Sequence, residues 1–230
     1  MKYNNSLLDN PVWNSLQTVH QDMREGTSNA AKYPGGVLPF MALRDREGDF
    51  IQEISPYFDK NEQVFLVGDQ PLLPENWSRF SNLECLQMVW SSLKNGEPKG
   101  NNADITELLA SDRTEMFDFI NAIQPGYFKI NTPALGHYYG IRVNGKLAAM
   151  AGERLKMTGF TEISAVCTHP DFTGRGFAWE LLLHLYDKIT QAGATPFLHV
   201  AATNERAISL YKYLGFEERR HIDFSLIGLS

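Results

Sequence analysis

Apolar positions along the chain switch between two periods, and the switches mark its elements. Val12, Leu16, Val19, His20 and Met23 fall near one face at helical spacing and predict a helix from Pro11 to about Arg24. Tyr33-Pro34-Gly35-Gly36 turns into a strand over 37–42, and Asp45-Arg46-Glu47-Gly48 turns out of it. Short apolar runs predict strands over 64–67, ended by Gly68-Asp69, and over 83–90. Lys94 to Asn102, with Gly96, Pro98 and Gly100, is polar and turn-rich, and reads as a boundary. It divides the chain into an N-terminal α/β portion, 1–98, and a second domain, 103–230.

Beyond the boundary the pattern continues as a strand over 105–109 and a helix over 112–123 whose Met116, Phe117, Ile120 and Ile123 point inward. A long connection runs from Pro125 to Gly136. Strands over 137–143 and 146–155 flank Asn144-Gly145, a strong hairpin signal. Thr158-Gly159 turns into a strand over 161–168, and Leu181, Leu182, Leu185 and Ile189 recur at helical spacing behind it. A strand over 196–202, a helix opened by Asn204 and a closing strand over 216–224 complete an α/β reading.

Composition narrows the class. With 43% hydrophobic and 12% aromatic residues the chain can fill a core, which excludes a disordered protein. A net charge of −6 disfavours nucleic acid and weakly favours neutral or cationic small substrates. Cys85 and Cys167 are too few and too far apart for a metal cluster or a disulfide framework, and Cys167 reads as a small core residue. No metal is expected. The opening Met1-Lys2-Tyr3-Asn4-Asn5-Ser6 leads into no long apolar run, and nothing reaches the ~20 apolar residues that span a bilayer. The expectation is a cytoplasmic protein without a membrane partner.

The chemistry concentrates after Thr161. His169-Pro170 breaks a strand, Thr173-Gly174-Arg175-Gly176 forms a loop, and a helix begins with Phe177-Ala178. This arrangement aims backbone N–H groups and the positive end of a helix dipole at an anion, with glycines allowing close approach. A phosphate-bearing ligand is implied. No lysine follows the glycines as a P-loop requires, and Trp179 stands where a Rossmann fingerprint needs glycine or alanine.

The loop instead resembles the acetyl-CoA pyrophosphate loop of the GNAT N-acetyltransferase superfamily, Arg/Gln-x-x-Gly-x-Gly/Ala, on Thr173, Gly176 and Ala178, with Thr173 departing from the usual Arg or Gln. Downstream, Asn204, Ala207, Leu210, Tyr211, Gly215 and Phe216 resemble that family's second signature, Asn-x-x-Ala-x-x-Leu-Tyr-x-x-x-Gly-Phe. Physically it is a short helix with Asn204 as N-cap and Gly215 as terminator. The resemblance implies a GNAT fold, a mixed and mostly antiparallel sheet flanked by helices. It also implies acetyl-CoA as acyl donor and an amine acceptor, expected to be small. The segments 9–13 and 86–90 resemble an arm of two-part bacterial members whose first half is a degenerate GNAT-like fold; a packing or homodimer surface is the competing reading.

On that resemblance Val166, Cys167 and Thr168 bind the cofactor arm through backbone groups, and the N–H of Val166 points at the thioester oxygen. Thr173, Gly174, Arg175, Gly176, Phe177 and Ala178 hold the pyrophosphate, and Asn204 meets the same cofactor. Tyr211 is the expected acid for the departing thiolate. Glu162, eleven positions before Thr173, is the expected base, its pKa raised in a partly apolar cleft. The same carboxylate could equally pair with Arg154, and Glu153 is the second candidate base. His169 reads as a turn residue. His137, Tyr138 and Tyr139 are candidates for the acceptor pocket, although adjacent strand aromatics are more often core. Two other functions compete: acetylation of protein or peptide amines, and a CoA-binding regulatory module without turnover.

Overall fold

The computed structural model describes residues 5–45, 50–92 and 103–230. The expected boundary at 94–102 and part of the turn at 45–48 lie outside these residues. In chain order the regular elements are α1 (Pro11–Gln17), β1 (Glu25–Gly26), β2 (Ala30–Lys32), β3 (Phe40–Leu43), α2 (Phe50–Glu53), β4 (Gln63–Val67) and β5 (Trp77–Trp90). They continue as β6 (Ile105–Leu108), α3 (Arg113–Ile123), β7 (Tyr138–Val143), β8 (Lys146–Met157), β9 (Phe160–Thr168), α4 (Phe177–Gln191), β10 (Thr195–Ala201), α5 (Glu205–Leu214) and β11 (Phe216–Leu229).

The eleven strands of the described residues form one open sheet, ordered β1-β2-β3-β4-β11-β5-β10-β9-β8-β7-β6. Only the β3–β4 and β9–β10 pairs are parallel, so the sheet is mixed and mostly antiparallel. The pairings on either side of the centre repeat each other. From β1 to β11 and from β7 to β5 the order of pair types is antiparallel, antiparallel, parallel, antiparallel. Each half hands its last strand to the other: β5 lies beside β10, and β11 beside β4. The strand expected to close the sheet, β11, therefore sits in its middle, between β4 and β5.

Helices cover both faces. Leu181, Leu182, Leu185 and Ile189 of α4 and Leu214 of α5 pack on Leu86, Met88, Ala149 and Ile163. On the opposite face Val12 and Leu16 of α1 join Phe40, Phe197 and Phe224, while Met116 and Ile120 of α3 join Leu147 and Met150. Both sets recur at helical spacing, so each helix buries one stripe. α1 is shorter than expected: it ends at Gln17, and a separate 3-10 turn covers Gln21–Met23. Asn144 and Gly145 both have positive φ, 52° and 78°, as the two-residue hairpin turn between β7 and β8 requires.

Candidate active site

β9 and β10 run side by side for only three residue pairs, Phe160–Thr195, Thr161–Pro196 and Glu162–Phe197. Beyond them β10 keeps its ladder with β5, and β9 keeps its ladder with β8, so the two strands part. The edge of β9 from Ile163 to Thr168 is left without a strand partner on that side. A bulge falls within it. Ala165 and Val166 together oppose the single residue Ala151 of β8, and Ala165 takes a left-handed φ of 54°. Such a conformation costs a non-glycine residue about 1–2 kcal/mol, and a bulge leaves one residue out of its ladder. Ala165 and Val166 are thereby left without a paired position in the ladder with β8.

The gap opens into a cavity of about 390 Å³. Ser164, Ala165 and Val166 form one wall, Val200 and Ala201 the other, and Asn204, Ala207 and Tyr211 the α5 side. At the far end stand Leu83, Tyr127, Phe128, Tyr138, Arg154 and Phe224. Asn204 caps α5, accepting from the Ala207 N–H at 3.1 Å. Tyr211 is buried and its hydroxyl makes no hydrogen bond to the described residues; burial pushes its pKa up to about 12. The phenol thus stays protonated at any ordinary pH. Cys85 also lines the cavity, but burial pushes its thiol up to about 12, which leaves it a wall rather than a nucleophile.

The glycine loop lies at the start of α4. Gly176 caps the helix at φ 80° with no side chain in the way, and a Cβ at Gly174, at φ 78°, would meet nothing within 4 Å. Thr173 folds back, its Oγ1 donating to the Pro170 carbonyl at 3.0 Å. Arg175 lies over the Phe172 ring at 5.0 Å. Phe177 and Ala178 form the first turn of α4, whose N–H groups precede any intrahelical acceptor. An unpartnered strand edge for amides and a helix N-terminus for a pyrophosphate together fit acetyl-CoA. Of the three strand residues, Val166 faces the cavity, Thr168 is half-buried, and the Cys167 side chain is buried toward α3.

Glu162 departs from expectation. It is fully buried and does not line the cavity. Both of its oxygens are engaged by Arg154, Nε to Oε2 at 2.8 Å and Nη2 to Oε1 at 2.6 Å, while His199 Nδ1 lies 2.6 Å from Oε1 and the Leu155 N–H 3.3 Å from Oε2. Burial alone would raise its pKa, but the Arg154 charge and hydrogen bonds and His199 outweigh it and hold the carboxyl at about 2. The expected raised pKa is therefore corrected: a carboxylate this acidic is a poor proton acceptor at neutral pH. Glu153, also buried, is bound by the His137 N–H at 3.1 Å and Lys156 Nζ at 2.9 Å.

What reaches the cavity in its place is Arg154 and His199, which sequence reading did not select. Gln87 sets the state of His199. Its Oε1 accepts from Arg219 Nη1 at 2.8 Å, so its amide nitrogen must be the group facing the Leu8 carbonyl at 2.9 Å and His199 Nε2 at 3.0 Å. His199 Nε2 then accepts, and Nδ1 carries the proton given to Glu162. The three adjacent candidates before β8 separate as strand alternation requires. His137 is exposed on Glu107 at 2.7 Å, Tyr139 packs edge-on to His184, and Tyr138 lines the cavity. His169 caps a 3-10 turn, accepting from the Asp171 N–H at 3.2 Å, which is the turn role expected of it.

The FR47-like protein family matches residues 138–225, the stretch from β7 into β11 that supplies the β9, β10 and α5 sides of the cavity. The crystal structure of a GNAT-family acetyltransferase from Novosphingobium aromaticivorans superposes with a TM-score of 0.86. It is 31% identical over 97% of this chain and 98% of its own. The chain belongs to the GNAT family. A GCN5-related N-acetyltransferase from Kribbella flavida shares the GNAT fold at a TM-score of 0.61 and 16% identity, over 94% of this chain and 93% of its own. The [Ribosomal protein bS18]-alanine N-acetyltransferase of Escherichia coli is 40% identical over 76 residues, 33% of this chain and 51% of that protein. The chain thus spans about half the length of the curated relatives it matches. Among the described residues of this GNAT protein no helix is long and apolar enough to cross a membrane.

Proposed function

We propose that the protein transfers the acetyl group of acetyl-CoA to the primary amine of a small molecule, acting in the cytoplasm. The observation that carries this is the parting of β9 and β10 at a bulge, between a glycine-opened helix and the free hydroxyl of Tyr211. Bound acetyl-CoA supplies the activated acyl group. The chain's part is to place and polarise it. The edge of β9 receives the amides of the cofactor arm, and the N–H groups of 174–178 receive the pyrophosphate. The Val166 N–H, turned out of the ladder, is the donor for the thioester oxygen, and Tyr211 gives its proton to the departing sulfur.

Deprotonation of the amine needs a different agent from the one the sequence suggested. None of the described residues lining the cavity is acidic, and Glu162 is saturated behind Arg154. We assign the proton to water held at the unpaired backbone carbonyls of β9. Glu162 is then a positioning residue that fixes Arg154 and His199.

The small acceptor is supported by what closes the far end. Leu83 and Cys85 of β5, from the first half of the chain, join Phe224 and Tyr127 there. The likeness to a bS18-alanine N-acetyltransferase favours a second reading, the N-terminal amine of a protein. The test is release of free CoA thiol from acetyl-CoA in a screen of small amines and N-terminal peptides. Small amines should give turnover, and Tyr211→Phe should lower it about 10²–10⁴-fold with acetyl-CoA affinity retained. Turnover with peptides alone would replace the acceptor, and unchanged turnover in Tyr211→Phe would remove the acid.

A further inference from the structure

At the far end of the cavity two hydrogen-bond donors stand without partners among the described residues. The Tyr138 side chain is 1% exposed, it lines the cavity, and its hydroxyl has no hydrogen bond. The ring is held there by two features. Gly152 lies opposite it on β8, where a Cβ would come within 2.3 Å of the ring, and Phe128 packs edge-on at 5.6 Å. Arg154 reaches the same end. Its Nε and Nη2 are engaged by Glu162, while Nη1 makes no hydrogen bond among the described residues.

A buried hydroxyl left without a partner is unfavourable, and a ligand oxygen that accepts from it removes that penalty. The charge of the site agrees with an oxygen. Among the described residues that line it none is acidic, the guanidinium is the one charged side chain displayed, and Glu162 lies behind it. A second ammonium would find no counter-charge here, which argues against diamines and polyamines. The rest of the end is hydrocarbon and aromatic: Leu83, Ile120, Tyr127, Phe128 and Phe224.

We propose that the acceptor is an amine with an apolar side chain and an oxygen acceptor next to the amine, as in an α-amino acid or the first residue of a short peptide. The oxygen is received by the Tyr138 hydroxyl and Arg154 Nη1. Carboxylate and amide carbonyl share this chemistry. The inference rests on the acetyltransferase reading and names its substrate class. Arg154 is confined by its pair with Glu162, so the oxygen meets a guanidinium already oriented and loses little side-chain freedom on binding.

The experiment compares molecules of one hydrocarbon shape: L-leucine, L-leucinamide, L-leucylglycine and isoamylamine, with putrescine as the dication. Binding to the CoA-saturated protein is read by calorimetry and acetylation by thiol release. At least one of the three oxygen-bearing compounds should exceed isoamylamine by about 10- to 100-fold, the effect of a hydrogen bond to a charged group, and putrescine should be inert. Preference for leucine assigns the site to free amino acids; preference for leucylglycine assigns it to peptide N-termini. Tyr138→Phe should shrink the ratio between the best compound and isoamylamine, whereas a merely structural role would lower both and keep the ratio. Isoamylamine or putrescine acetylated as well as the others, with acetyl-CoA bound, overturns the inference and leaves the acetyltransferase reading intact. Failure to bind acetyl-CoA at all overturns both.

Discussion

Glu162 illustrates how one residue's neighbours decide its chemistry. Placed on a strand beside a cofactor loop, a glutamate invites the role of base, and desolvation alone would push its pKa the right way. The structure adds Arg154 across a second irregularity, where Arg154 and Leu155 of β8 oppose Glu162 alone on β9, and the sign of the shift reverses. Glu162→Gln is thus expected to act on stability more than on proton transfer. It leaves a buried guanidinium uncompensated, a loss of about 3–5 kcal/mol measurable by denaturant unfolding. The acid limb follows by linkage. Glu162 has a folded pKa depressed from 4.5 to about 2, so its stabilisation is complete above pH 4.5 and lost as pH falls toward 2. His20, buried and depressed from 6.5 to about 4, loses its contribution over pH 6.5 to 4. Wild-type stability should therefore decline in two stages below pH 6.5, and the lower stage should shrink in Glu162→Gln to what other depressed carboxyls such as Glu53 contribute. A lower stage undiminished in the variant contradicts the assignment. Tyr211 and Asn204 were legible because motif and helix spacing coincide. Arg154 and His199 were not, because their roles depend on a bulge and on Gln87, far away in sequence.

Among the elements, those with local signals were read correctly. The Asn144-Gly145 hairpin, the stripe of α4 and the N-cap of α5 each follow from residues a few positions apart. β5 and β11 were read short, at 83–90 and 216–224, against Trp77–Trp90 and Phe216–Leu229. Ser78 to Asn82 is polar but for an exposed Phe80, and none of it is buried, so no alternating pattern announces a strand; its ladder is supplied by β11. The glycine-opened helix is the element on which cofactor binding turns. At φ 80° Gly176 stands where a β-branched residue is strained. Gly176→Val should weaken acetyl-CoA binding at least about tenfold by calorimetry, since strain in αL and a blocked approach both act there. Binding within twofold of wild type would take the loop out of the site.

At the scale of the whole molecule the halves are interleaved rather than appended. β5 lies between β11 and β10, so the first half completes the sheet on which the cavity is built and supplies Leu83 and Cys85 to its far end. A division at 98 and 103 follows the chain, yet it separates β5 from both of its neighbours. No local pattern could announce this exchange, because it is a pairing between residues more than a hundred positions apart. The central claim is that acetyl-CoA lies along the open edge of β9 with its phosphates at α4. Hydrogen–deuterium exchange with and without CoA tests it most directly. The account predicts protection of amides within 164–168 and 174–178, with β1 to β3 unchanged; protection confined to the first half, or none within those two segments at saturating CoA, would contradict it.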